Sequence, residues 1–147
     1  MALSSGDGDD KVREIDRARY QKEAFSLQKR LADALSTPTR IDDQAVWEAY
    51  AGTEKLIAVL KFRLDYETPG VFTKLPDASQ PTALLAEARA LLSSAGDELS
   101  GRKLVEAVET LRRARNNLRS YLTDKRKSAT KAGSQVRGGP PKSQRSL

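Results

Sequence analysis

The sequence contains no cysteine and no histidine. It therefore lacks disulfides, thiol nucleophiles, zinc sites built from these residues, and the usual general base at neutral pH. Aromatic residues make up 5% of the 147 residues, and no apolar run approaches the length of a membrane span. The N-terminus also lacks the basic-then-apolar pattern of a signal peptide. These absences predict a protein that acts by binding, with no cofactor, metal or membrane span.

The net charge of +6 lies at the C-terminal end of the chain. Residues 124–147 contain seven basic residues and one acid, whereas residues 1–123 contain equal numbers of acidic and basic residues. The same tail has almost no apolar residues and includes a Gly-Gly-Pro-Pro sequence, which predicts disorder unless a partner is bound. Residues 1–9 are rich in glycine, serine and aspartate, and we expect disorder there as well.

The densest apolar segment is residues 41–65, which contains the only tryptophan, Trp47. Pro38 blocks helix continuation before it, Asp42 can cap a new helix, and Pro69 stops extension after it. Its apolar stripe has three- or four-residue steps and consists of Val46, Ala49, Thr53, Leu56, Leu60 and Leu64, widened by Trp47, Tyr50, Ile57 and Phe62. This pattern predicts a helix buried on more than one side, with Trp47 in the core.

The same periodicity predicts three further helices. They cover about residues 10–36, a segment from Pro81 to a glycine at 96 or 101, and about residues 100–125. Residues 67–79 form a longer connection. The sequence therefore predicts an all-α fold, a four-helix bundle of the up-down type over residues 10–123, with one longer loop and disordered termini.

Two acidic clusters are the only candidates for catalytic or metal-binding chemistry. Asp42 and Asp43 stand at a predicted helix N-terminus, where acids satisfy the helix dipole, and capping is the favoured interpretation over a metal or acid–base role. Asp7, Asp9 and Asp10 resemble a fragment of a calcium loop but lack the later ligands and the bidentate glutamate. No catalytic, cofactor-binding or metal-binding residue is predicted.

The predicted fourth helix carries an acid-free group of arginines that the tail extends. The candidate partner-binding residues are Arg112, Arg113, Arg115, Arg119, Lys125, Arg126 and Lys127. At about 100° per residue, Arg112, Arg115 and Arg119 share one side of the helix. They form either a solvated face with buried stems or a docking patch for an acidic protein or a polynucleotide.

The chain resembles the PsbQ family of extrinsic four-helix proteins of photosystem II over about residues 20–122. The resemblance begins at residues 41–47, Ile-Asp-Asp-Gln-Ala-Val-Trp, which stand at the start of the second long helix as in that family. It continues at residues 59–64, Val-Leu-Lys-Phe-Arg-Leu, and in a proline-containing link followed by two helices. The resemblance implies a lumen-side accessory subunit that stabilises the oxygen-evolving assembly without catalysis or a cofactor.

The sequence thus predicts a non-catalytic accessory subunit that docks on acidic surfaces of a large complex. The resemblance implies a photosystem complex and the lumen side of the thylakoid, with the targeting segment absent from this chain; without it, we expect a soluble intracellular protein. Peripheral membrane association is compatible with the composition. The alternative is a basic nucleic-acid-binding protein, such as a small subunit of a ribonucleoprotein complex, acting through the tail and the arginines.

Overall fold

The computed structural model describes residues 14–37, 39–67 and 74–137, with side chains from residue 16 to residue 128 within those ranges. The four helices are α1 (Glu14–Ala34), α2 (Asp43–Leu64), α3 (Pro81–Ser100) and α4 (Leu104–Arg137). The described part contains no strand. The predicted all-α four-helix fold is confirmed.

Helix α2 begins and ends at residues whose local chemistry suits them to those positions. One carboxylate oxygen of Asp42 accepts hydrogen bonds from the backbone N–H groups of Gln44 at 3.1 Å and Ala45 at 3.3 Å. At the other end Asp65 adopts the left-handed conformation with φ 52° and ψ 44°, and its N–H bonds back into the last turn. These contacts satisfy backbone groups that a helix terminus leaves unpaired. The predicted capping role of Asp42 is therefore confirmed.

The helices form a ring in the order α1, α2, α4, α3, in which each packs on two neighbours. Helix α2 runs antiparallel to α4, because Asp43 at its start contacts Tyr121 while Tyr66 just beyond its end contacts Glu109. Helix α3 is also antiparallel to α4, to which residues 101–103 join it directly. Helices α2 and α3 are consequently parallel, and they occupy opposite corners of the ring.

The long connection between α2 and α3 allows these two parallel helices to follow each other in the chain. The chain leaves α2 through residues 65–67, and residues 74–80 lie at the opposite end of the bundle, where the hydroxyl of Ser120 donates a hydrogen bond to the carbonyl oxygen of Pro76. The predicted up-down order therefore describes the two hairpins, α1–α2 and α3–α4, whereas the step between the hairpins is a parallel crossover. The predicted long connection is the element that makes this step.

The apolar stripes of α2 and α3 supply much of the core, as their spacing predicts. All six stripe residues named for α2 are buried. Helix α3 buries Leu84, Leu85, Ala88, Leu91, Leu92 and Ala95, and α4 buries Leu104, Val108, Leu111, Ala114, Leu118 and Tyr121. Val12 and Ile15, two apolar residues in the first turns of the predicted first helix, lie outside the described side chains.

Two aromatic residues predicted to widen the α2 stripe lie on the surface instead. Trp47 is 50% exposed and Phe62 is 84% exposed, so the prediction of a buried Trp47 is wrong. Val105 of α4 is also exposed, at 41%. In a ring of four helices each helix has two neighbours, and the side of α2 that faces neither α1 nor α4 has nothing described to cover it.

Helix α4 extends further than its predicted end near Lys125. It continues to Arg137, so residues 124–137 are helical where the sequence predicts a disordered tail. This stretch contains lysine, arginine and alanine, which favour helix, and glycines and prolines cluster only from residue 138 onward. The predicted disorder of residues 1–9 and 138–147 falls outside the described residues.

Close packing between α1 and α3 depends on Gly96. A Cβ atom at this position would lie 2.5 Å from Cε1 and 2.7 Å from Cζ of the Phe25 ring. We expect Gly96→Ala to lower the free energy of unfolding by about 1–3 kcal/mol, because overpacking outweighs the gain in helix propensity. Urea denaturation measures the change.

Two control variants separate overlap from a general effect of the substitution. Gly101→Ala places a Cβ atom in ordinary contact, 3.4 Å from the carbonyl oxygen of Asp97, and should be nearly neutral. Adding Phe25→Leu should recover part of the loss caused by Gly96→Ala, since the smaller side chain leaves room. A stabilising Gly96→Ala would contradict the close approach.

Candidate docking surface

The predicted basic residues of α4 form a continuous edge of the helix. At about 100° per residue, Arg112, Arg115, Arg119 and Arg126 fall within a sector of about 60°. Because the seam through Leu111 and Leu118 is buried, this sector faces away from the core. We call these four arginines the arginine edge. It lies on the side of α4 that borders α2, as the contact between Arg115 and Glu54 of α2 shows.

Three of the seven predicted partner-binding residues contact a carboxylate of this chain. The pairs are Arg112 with Glu109 at 2.9 Å, Arg115 with Glu54 at 3.2 Å, and Lys125 with Asp43 at 3.7 Å. The side chains of Arg112 and Arg115 are only 20% exposed. These pairs fix the positions of the two arginines, and their charge is largely compensated within the chain.

The other four predicted residues keep uncompensated charge. Arg113, Arg119, Arg126 and Lys127 are all exposed, and none forms an ion pair with a described residue. Arg119 and Arg126 belong to the arginine edge, whereas Lys127 and Arg113 point about 90° and about 130° away from its centre. The structure therefore divides the predicted set into residues that stabilise the bundle and residues whose charge faces solvent.

Sequence patterns did not reveal the aromatic pair that borders the arginine edge. The ring centroids of Trp47 and Tyr50 are 5.6 Å apart, and the Tyr50 hydroxyl donates a 2.9 Å hydrogen bond to Glu54. The same glutamate accepts from Arg115. Burial and the bond to Glu54 raise the pKa of Tyr50, whereas Arg119 and Arg115 act in the opposite direction. Trp47 thus stands exposed beside a hydrogen-bonded cluster that includes the edge.

A second cluster joins the start of α2 to α4. The hydroxyl of Tyr121 donates a hydrogen bond to one oxygen of Asp43, and Lys125 contacts the other oxygen. Burial, followed by the bond to Asp43, raises the pKa of Tyr121. Tyr66 donates similarly to Glu109 at 2.7 Å, and this bond raises its pKa. These tyrosines are therefore neutral donors at physiological pH.

The described residues offer little else that resembles a reactive centre. No group of three acidic side chains comes together among them as a metal ion would require. Of the four helices, as far as their residues are described, none combines the length and the hydropathy needed to cross a bilayer. The surface features that remain are the arginine edge and the exposed aromatic side chains of α2.

A scan against family models and searches of curated proteins and of solved structures return no match for this chain. The resemblance to the PsbQ family therefore depends on the residues quoted above.

We expect Tyr121→Phe to lower the free energy of unfolding by about 1–2 kcal/mol at neutral pH, because Asp43 loses a hydrogen-bond donor. The raised pKa of Tyr121 also makes its contribution to stability depend on pH. The folded state favours the protonated hydroxyl of Tyr121. The stabilisation that this hydroxyl provides is therefore complete below the ordinary tyrosine pKa of about 10, and it is lost as the pH rises above that value. The variant should lose less stability than the natural chain above that pH.

Denaturant unfolding at neutral and alkaline pH measures both effects. Tyr20→Phe is the matched control, since Tyr20 is buried and its hydroxyl makes no hydrogen bond to a described residue. It should change stability little at neutral pH. Equal losses for Tyr20→Phe and Tyr121→Phe would contradict a specific role for the bond to Asp43.

Proposed function

We propose that the protein is a non-catalytic helical subunit that docks on an acidic surface of a larger complex. The observation that carries this proposal is the uncompensated charge of Arg113, Arg119, Arg126 and Lys127 on one helix. Helix α4 also continues for twelve residues past Lys125, which is about 18 Å. A helix with exposed cations that continues beyond its contact with the start of α2 is suited to contact a partner.

A docking role agrees with how the acidic and phenolic groups are used. Asp42 caps a helix, and Glu54 and Glu109 each accept both an arginine and a tyrosine. The raised pKa values of Tyr50 and Tyr66 make these hydroxyls weaker acids, which is the opposite of what a nucleophile needs. The polar groups therefore support a stable binding surface better than a reaction.

Within this proposal, a PsbQ-like subunit on the lumen side of photosystem II is the specific hypothesis. Its support is the resemblance at residues 41–47 and 59–64, together with four helices and a long proline-containing link. In this role Arg119 and Arg126 of the arginine edge, together with Lys127, would face acidic groups of the oxygen-evolving assembly. Screened ion pairs would make the attachment sensitive to salt.

Nucleic-acid binding is the second candidate, and one observation favours it. Trp47 is half exposed and lies beside Tyr50, whose hydroxyl cluster includes Arg115. An aromatic face next to cations can stack an unpaired base while the cations contact phosphates. This candidate also uses the basic residues of the tail beyond Lys127, which the docking proposal does not require.

The double variant Arg119→Glu/Arg126→Glu tests docking on acidic protein. Added to salt-washed photosystem II membranes, the natural chain should bind at low salt and be released at about 1 M salt, where the Debye length is about 3 Å. Reversal of both charges should weaken binding about tenfold, or ~1.4 kcal/mol. Co-sedimentation measures the bound fraction.

The matched control is Lys29→Glu/Arg89→Glu, which changes the net charge equally at exposed residues of α1 and α3. It should bind much like the natural chain. Equal weakening by both double variants would indicate a general charge effect and contradict a defined surface. No binding at low salt would exclude the photosystem hypothesis.

A mobility-shift titration with single-stranded RNA and DNA tests the second candidate. If it holds, binding falls steeply with salt, drops on removal of residues 125–147, and weakens again with Trp47→Ala through loss of stacking. The sequence-independent affinity should otherwise be similar for unrelated oligonucleotides. No retardation at low salt would eliminate nucleic-acid binding.

A further inference from the structure

Helix α2 presents a narrow exposed stripe between its two neighbours. Its exposed helical residues from 44 onward are Gln44, Trp47, Ala51, Lys55, Ala58 and Phe62, and the exposed cap Asp65 follows. These positions are separated by three or four residues, so they share one face of the helix. Its two large apolar residues, Trp47 and Phe62, are aromatic, whereas the two alanines between them leave the backbone accessible.

The stripe is symmetric about its centre. Trp47 and Phe62 are equally distant from the midpoint between Glu54 and Lys55, and so are Ala51 and Ala58. If a second α2 helix lies antiparallel on the first with these midpoints aligned, each aromatic residue meets the other aromatic residue of the copy. Each alanine then meets the other alanine. A face that complements itself in this way is what a two-fold interface requires.

The sizes of these residues also fit two helices that cross. Crossing helices are closest at the crossing point and diverge toward their ends. Ala51 and Ala58 allow a close approach near the centre, while Trp47 and Phe62 are large enough to fill the widening space on either side. With small side chains near its centre and large ones toward its ends, the stripe therefore fits a crossing helix better than a row of side chains of equal size would.

Charge argues for a second copy over a polyanion or an acidic membrane. The stripe itself contains one base, Lys55, and one acid, Asp65, so it carries no net charge. Among the residues beside it, Glu48 contacts Arg30 and Glu54 contacts Arg115. An anionic partner would prefer the arginine edge of α4. From the symmetry, the sizes and the charge we infer that the α2 stripe is a homodimer interface, in which two chains pack antiparallel across a two-fold axis.

Cysteine cross-linking tests this register directly, because the natural chain has no cysteine. Equal amounts of full-length Ala51→Cys and Ala58→Cys chains, mixed under mild oxidation, should form a disulfide-linked dimer. Each variant alone should cross-link far more slowly, since its two identical cysteines are offset by about 10 Å along the helices. That offset exceeds the Cα separation of about 7 Å that a disulfide allows.

A mixture of Ala51→Cys and Ala86→Cys is the collision control, because Ala86 is an exposed alanine of α3 outside the stripe. It should cross-link at the slow rate of the single variants. Rapid cross-linking of Ala51→Cys with itself would overturn the antiparallel register. Equal rates in every mixture would overturn the interface.

Mass measurements on the natural chain test the dimer without any substitution. Sedimentation equilibrium should show a doubling of mass with rising concentration, together with a shift of Trp47 fluorescence to shorter wavelength as the ring leaves water. Ala58→Arg should restore the monomer mass, with circular dichroism showing an unchanged helix content. A monomer at every concentration would overturn the inference.

Salt separates this interface from the proposed docking function. Burial of apolar side chains is not weakened by salt, and the two Lys55 residues near the axis would repel less, so dimerisation should persist or strengthen. Docking through the arginine edge should weaken under the same conditions. Either one can therefore fail while the other stands, and a dimer that dissociates with added salt would overturn the apolar interface.

Discussion

The fold depends on the burial of one seam of α4 between α2 and α3. Leu111, Ala114 and Leu118 are completely buried, and α4 packs both on its hairpin partner α3 and on α2 of the other hairpin. Once this seam faces inward, the helical period fixes where every other α4 side chain points. The arginine edge is therefore not free to turn toward the core, and its orientation follows from packing that involves no charge.

Periodicity predicted the seams of α2 and α3 because those stripes face neighbours on the sides where their leucines recur. It failed for Trp47 and Phe62, since apolar character shows which residues favour burial but not how many neighbours a helix will have. With two neighbours, α2 has more apolar surface than the bundle can cover. The parallel relation of α2 and α3 was also not predictable from spacing, because it depends on the path of the crossover.

The sequence predicted which basic residues form the candidate site, but it did not predict which carboxylates they contact. The arginines were evident as an acid-free run, yet Arg115 contacts Glu54, 61 residues away, and Lys125 contacts Asp43. Contacts at such separations follow only once helix order and direction are known. The feature that could have pointed to the outer face of α2 is the regular placement of Trp47, Ala51, Ala58 and Phe62, which lie together on the side opposite the stripe of leucines.

The two surfaces are neighbours, and their geometry links them. A two-fold axis that relates antiparallel α2 helices lies perpendicular to both of them. A helix that borders α2 on one side of this pair therefore lies on that same side in both chains. Helix α4 borders α2 through Arg115, and a dimer would therefore carry both arginine edges on one side. Two linked edges bind an extended acidic surface more tightly than one, because the second contact forms at high effective concentration. Dimerisation through a stripe with no net charge would thus strengthen a charge-dependent contact that the stripe itself does not make.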